Sequence, residues 1–438
     1  MTTMKALGNF RAQALSHARN GLGAIALFAL IGGLLNFVGQ ALLARLMTPH
    51  DVGYFGNVIA LATLLAPIGG AGVYGVWLQM FPKHKASSAW IKPGIYLAMI
   101  STVILMVGLV SWGYIIEGAS GAIIFFFIGF QLVSLVALEL NSGAYQVQEK
   151  YNRFAIYQAW PQALRLAILT ICGLSWSFYS PNSKILGFAI GHFIFSSIIV
   201  LICARELRVF FLATRRFDRG RSEDVSDQPL SAVISFGWPF VANTVLLAIY
   251  GQATVIVAAH ILSYSDAAIY MAANAIVASG YIVIGLMYRR YFQPRMFKLI
   301  EEDLKAYINF ARKGLALSIF LGLALASGTA VGSHLFLTLI FGPAYAPSVS
   351  IVYILSITVF FRCVINHMGS AFVRKPEVVF RSRVQLIGLI ITIPLMIFLA
   401  GSFGLPGLAW SCVFFDLFLV LSFYPRFSKI LRQEAESL

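Results

Sequence analysis

Four ionisable side chains interrupt stretches that are otherwise apolar: Glu139, Arg165, Arg362 and Asp416. A charge in such a run is costly in lipid, so each must face a hydrated cavity or a partner of opposite sign. The two arginines suit an oxyanion such as phosphate, because guanidinium stays protonated and offers forked donors to paired oxygens. The two acids suit either a coupling ion or a structural charge pair. Pairing Glu139 with Arg165 and Asp416 with Arg362 would satisfy all four groups without any ligand, so both readings stand at this level.

The residues around these charges are polar at helical spacing. Gln158, Gln162 and Arg165 share one stripe, with Pro161 beside it as an expected kink. Thr358, Arg362 and Asn366 form a second stripe, and Gln131, Glu139, Ser142 and Gln146 a third. With Gln40 and Asn274, the members Gln158, Gln162, Thr358 and Asn366 are expected to line a hydrated cavity. The run Pro67-Ile68-Gly69-Gly70-Ala71-Gly72 predicts a hinge or a tight packing groove, since proline frees a carbonyl and glycine permits close approach. Arg45 and Asp51 are close enough in sequence for a surface ion pair, with an anion contact at the outer exit as the alternative. His192, His260 and His367 lack ligand spacing, and Cys172, Cys203, Cys363 and Cys412 are scattered one to a run, so no metal site, cofactor or disulfide framework is indicated. No catalytic acid–base constellation and no nucleotide-binding motif occurs.

The elements that must carry these residues are membrane helices. Of 438 residues, 59% are hydrophobic and 11% charged, against about 25% charged in soluble domains. Apolar runs fall at 21–43, 52–80, 93–114, 121–145, 154–176, 185–204, 236–261, 267–288, 310–333, 349–370, 384–401 and 405–423. Each can cross about 30 Å of hydrocarbon, which predicts an all-α integral membrane protein of about twelve transmembrane helices. The net charge of +15 would suggest nucleic acid, but 28 of the 32 Lys and Arg fall on alternate segments between these runs or, like Arg312 and Lys313, at the adjoining end of one. That asymmetry predicts cytoplasmic termini and argues against a nucleic-acid partner. On this topology the four intramembrane charges lie about nine to twelve residues from the inner surface, or roughly 14–18 Å deep. The clustered Arg289, Arg290 and Arg295 then mark an inner helix end. The charged stretch 205–235 reads as a flexible cytoplasmic linker dividing an N-terminal six-helix lobe, 1–204, from a C-terminal one, 236–438. A short echo supports the division: Gly39–Gln40 precedes Asp51-Val-Gly-Tyr-Phe55, and Gly251–Gln252 precedes Asp266-Ala-Ala-Ile-Tyr270.

Three segments carry a family resemblance. Leu42-Leu-Ala-Arg-Leu-Met-Thr-Pro-His-Asp-Val-Gly-Tyr-Phe55, Gly237-Trp-Pro-Phe-Val-Ala-Asn243 and Ile340-Phe-Gly-Pro-Ala-Tyr-Ala-Pro347 resemble polysaccharide flippases of the O-antigen (Wzx-like) type, in the superfamily shared with MATE exporters and lipid II flippases. The resemblance implies a MATE-like fold in the bacterial inner membrane, not an enzyme. Its implied cargo is an undecaprenyl-diphosphate-linked oligosaccharide, moved from the cytoplasmic to the outer leaflet by alternating access for O-antigen, capsule or exopolysaccharide synthesis. Membrane lipids and a polysaccharide polymerase are the other implied partners. Arg165 and Arg362 would then hold the diphosphate from the two halves. A MATE-like antiporter of organic cations is the alternative; the first run carries no acid for a cation site, only Asn36 and Gln40.

Overall fold

The computed structural model describes residues 27–81, 87–175, 181–219, 227–288, 292–372 and 375–436. These are helical almost throughout, without a strand among them. In chain order the helices are α1 (Leu27–Leu46), α2 (Pro49–Gly69), α3 (Val73–Met80), α4 (Ile91–Gly129), α5 (Gln131–Val147), α6 (Tyr151–Ser175) and α7 (Pro181–Arg219). There follow α8 (Leu230–Val257), α9 (Tyr264–Met287), α10 (Gln293–Glu302), α11 (Leu304–Phe336), α12 (Ser348–Ala371) and α13 (Lys375–Glu436).

Eight helical stretches among the described residues are long and apolar enough to cross a membrane. Two of them, Ser88–Val147 and Val379–Gln433, run to 60 and 55 residues, far more than the roughly 20 that one crossing needs. Each is broken by a glycine in a conformation that side chains resist, Gly118 (φ 68°) in α4 and Gly404 (φ 62°) in α13. The expected runs 154–176 and 267–288 coincide with α6 and α9, which are not among these eight. Side chains such as Val331 (84% exposed) and Leu174 (76%) face outward, which is tolerable only where lipid is the solvent.

The chain sorts into two compact units. One holds residues up to Gly39 with Leu61–Ala248, the other Gln40–Ala60 with Ile249–Leu438. In the first unit α5 packs along α7 and α3, around Trp77, Phe125, Leu132, Phe188 and Ile199, all buried. In the second, α12 packs against α9, α11 and α13 and buries Val352, Val359, Cys363 and Met368. Since lipid tails are as apolar as these side chains, close packing and interhelical hydrogen bonds hold each unit together.

The charged stretch after 204 departs from the expected flexible linker. Helix α7 continues to Arg219 because its extension is amphipathic. Leu207 and Phe210 are buried, and Asp218, also buried, accepts a 2.8 Å hydrogen bond from the Ser88 amide. Residues 220–226, including Arg221, Glu223 and Asp224, lie outside the described residues, as do the first twenty-six residues and Arg289 and Arg290.

The sequence echo has a local physical meaning in the second unit. At the start of α2 the Thr48 hydroxyl accepts from the Asp51 amide (3.2 Å) and donates to the Asp51 carboxylate (2.8 Å). At the start of α9, Ser263 and Asp266 repeat both bonds at 3.0 and 2.6 Å. Both are N-caps that satisfy an otherwise orphaned amide, and the two starts meet: the Tyr54 and Tyr264 rings lie edge to face at 5.0 Å.

Candidate functional site

Helix α2 ends at Gly69, within the Pro67–Gly72 run. Pro67 removes one donor, the chain turns through Gly70, Ala71 (φ 50°) and Gly72 (φ 67°), and α3 begins at Val73. The carbonyl freed at Gly69 is recovered by α4: Ser101 Oγ donates to it at 2.6 Å and Thr102 Oγ1 at 3.4 Å. Such a break is stable at membrane depth only with replacement donors of this kind. By contrast α6 runs unbroken through buried Pro161.

The Glu139 carboxylate stands over this break. A Cβ on Gly70 would come within 2.7 Å of Glu139 Oε2, so the acid occupies space that only a glycine leaves free. Glu139 forms no ion pair or hydrogen bond with another described residue. The rest of the α5 stripe is spent on neighbouring helices. Gln131 Oε1 lies 2.6 Å from His192 Nε2 on α7, and Gln146 Oε1 accepts from Tyr74 on α3 at 2.9 Å. Asn141, which sequence reasoning passed over, is buried and bridges α5 to α7 through the Cys203 carbonyl at 3.0 Å. Its signal was available: an amide two residues from Glu139 in an apolar run.

Arg165 is half-buried on α6. Its Nη1 reaches Asn36 Oδ1 on α1 at 3.5 Å, the outer limit of a hydrogen bond, and its buried Nε has no acceptor. No described carboxylate lies within ion-pair distance, so the expected Glu139–Arg165 pair does not form. The guanidinium is therefore taken from water without a countercharge among the described residues. Gln162 is also half-buried; the side chain of Gln158 lies outside the described residues.

The second unit treats its arginine differently. Arg362 Nε donates to Asp416 Oδ2 at 3.2 Å, and the guanidinium lies 5.4 Å from the centroid of the Tyr250 ring. Tyr250 closes the group by donating to Asp416 Oδ1 at 3.1 Å. Asp416 is 1% exposed with both oxygens engaged. The expected pair is thus present, strengthened by a tyrosine from α8 that no sequence pattern singled out, because one tyrosine in an apolar run carries no spacing signal. Thr358 donates to Leu355 O and Asn366 to Arg362 O, so part of that stripe bonds back to carbonyls of its own helix. Asn274 and Gln40 are half-buried.

Two other expectations change. Arg45 does not pair with Asp51: its guanidinium donates to the carbonyls of Thr338, Leu339 and Ile340, with Nε–Ile340 O at 3.0 Å. The end of α11 and the turn after it present unpaired carbonyls and the negative end of the helix dipole, a better partner than Asp51, which is committed to Thr48. His367 is a packing residue, with Nε2 2.8 Å from Ala311 O and its ring against Gly314.

The fold is shared with transporters. The chain superposes on a lipid II flippase, MurJ, in its inward closed conformation with a TM-score of 0.69 over 94% of this chain and 90% of that one, at 11% identity. It superposes on an inward-facing multidrug resistance MATE family transporter of the MOP superfamily with a TM-score of 0.66, covering 93% and 99%, at 13% identity. For a MOP superfamily transporter from Pyrococcus furiosus the TM-score is 0.55, over 93% and 95%, at 13% identity. No curated protein matches in sequence. The sequence model of the polysaccharide biosynthesis proteins matches residues 18–300, and the chain belongs to that family, on a fold it shares with the MOP superfamily.

Proposed function

We propose that the protein is a lipid-linked oligosaccharide flippase, moving undecaprenyl-diphosphate-linked sugars from the cytoplasmic to the outer leaflet of the bacterial inner membrane by alternating access. In this reading the chain crosses the membrane about twelve times, in two six-helix lobes at 1–204 and 236–438 with both termini cytoplasmic. It serves O-antigen, capsule or exopolysaccharide synthesis beside a polymerase.

One observation carries the reading. Arg165 is a half-buried guanidinium with no carboxylate partner among the described residues, one marginal amide contact, and a buried Nε without an acceptor. An arginine left so in an apolar unit is suited to an anion that arrives and leaves, and a diphosphate offers the paired oxygens its fork fits. Arg362, held by Asp416 and Tyr250, serves as a second diphosphate contact. Gln40, Gln162, Asn274 and Asn366 would meet sugar hydroxyls, whereas Thr358, expected in that lining, is 0% exposed and bonded to Leu355 O; Gln158 completes that lining by sequence, and the break after Pro67, at Gly69 and Gly70, would be the hinge.

The competing reading is an ion-coupled exporter of organic cations, which the unpaired Glu139 favours. The discriminating experiment is translocation of a fluorescent undecaprenyl-diphosphate oligosaccharide in proteoliposomes, beside uptake of an organic cation. The flippase reading expects lipid translocation that Arg165→Ala abolishes. Cation uptake that Glu139→Gln abolishes, without lipid translocation, would replace it.

A further inference from the structure

The first unit carries a groove of about 690 Å3 between α4, α5 and α7. Its floor is apolar and buried, with Val136 and Leu140 each 4% exposed. Its rim faces outward, with Val103 and Val107 61% and 62% exposed. One end is basic: Lys92 from α4 and Arg208 from α7 both line it.

Lys92 is partly neutralised, with Nζ 3.2 Å from Asp227. Arg208 is exposed and makes no ion pair with a described residue. The nearby acid Glu206 is held by Arg153 at 3.6 Å and by Tyr145. Among the described residues, the groove therefore ends in a guanidinium without a countercharge. From Lys92 to Val107 it follows α4 for about 22 Å at helical rise. One leaflet contributes roughly 15 Å of hydrocarbon, so a groove of that length covers one leaflet and its headgroup layer.

We propose that this groove is a binding site for an anionic phospholipid of the leaflet at the Lys92 end, with an acyl chain along Val103 and Val136 and the phosphate on Arg208. Basic residues between membrane helices at the headgroup level hold phosphate in this way. The apolar walls select for a chain, the free cation for the headgroup charge, and the single-leaflet length for a lipid that does not reach the opposite surface. The site is separate from Arg165 and does not depend on what the protein transports.

Native mass spectrometry of the full-length protein with phosphatidylglycerol and phosphatidylcholine of matched chains tests this. Phosphatidylglycerol should be retained about fivefold more, the preference that one cation near the headgroups supplies. Arg208→Ala should erase the preference, and Val103→Trp, which fills the groove from its exposed rim, should lower retention of both lipids. Arg312→Ala, an exposed cation on α11, should change neither. Equal retention of the two lipids by the wild type, or an Arg208→Ala variant that keeps the preference, would overturn the proposal. Displacement of phosphatidylglycerol by an equimolar polyprenyl phosphate would also overturn it, in favour of an isoprenoid chain.

Discussion

Arg165 and Arg362 are the same residue at similar depth in the sequence pattern, yet replacing each by methionine should have opposite consequences. At Arg362 the change removes a charged hydrogen bond at 3.2 Å and a cation–π contact with Tyr250, and it strands Asp416, which is 1% exposed. Breaking a buried pair from one side costs about 3–5 kcal/mol. Because Tyr250 still donates to Asp416 and the Arg362 side chain is 22% exposed, the lower end applies, about 3 kcal/mol. Removing both partners in Arg362→Met/Asp416→Leu should recover most of that loss, because no unpaired charge remains. At Arg165 only a 3.5 Å contact to Asn36 is lost, so Arg165→Met should change stability by less than about 0.5 kcal/mol or raise it, while abolishing translocation. Reversible unfolding in mixed micelles gives the four free energies, and the double-mutant cycle isolates the coupling. Additive effects of Arg362→Met and Asp416→Leu would refute the pair. A loss above about 2 kcal/mol at Arg165 would mean that it has a structural partner of the strength of a charged hydrogen bond.

The break after α2 gives a paired test. Gly72→Ala must place a Cβ within 2.3 Å of Gly237 O at φ 67°, whereas Gly118→Ala at φ 68° meets open space. The second, at ψ −152°, lies in a region essentially confined to glycine and should cost about 1–3 kcal/mol of backbone strain, whereas the first adds a backbone clash to about 1–2 kcal/mol of left-handed strain and should cost clearly more, as read by unfolding; a smaller loss at Gly72 than at Gly118 would mean that the α2 break is free to move away from Gly237. Arg45→Ala should destabilise by about 1 kcal/mol, by exposing the carbonyls at the end of α11, and leave lipid translocation intact; loss of translocation at full stability would give Arg45 a role with the cargo. Single cysteines at 184 and 219 test the topology. They are separated along α7 by about 52 Å at helical rise, more than the 40–45 Å of a whole bilayer. A membrane-impermeant thiol reagent should therefore label them from opposite sides, and labelling from one side would refute a transmembrane α7.

The sequence alone determined the solvent of this protein and the places where its helices are interrupted. Apolar runs separated by basic clusters are dictated by the cost of exposing polar backbone and charge to hydrocarbon, and that cost acts locally along the chain. The same is true of the stop after Pro67 and of the paired N-caps at Thr48 and Ser263, which involve residues three apart. What only the tertiary structure decided is which polar groups satisfy one another. Glu139 and Arg165 offered the same pairing as Asp416 and Arg362, and the packing made one pair and not the other, because Glu139 turns toward the space left by Gly70. Arg45 found carbonyls nearly 300 residues away in preference to an acid six residues off, and the charged stretch after 204 became helix because Asp218 had the Ser88 amide to meet. A burial cost is written in composition. The identity of the partner that offsets it depends on where distant helices meet, and no local spacing encodes that.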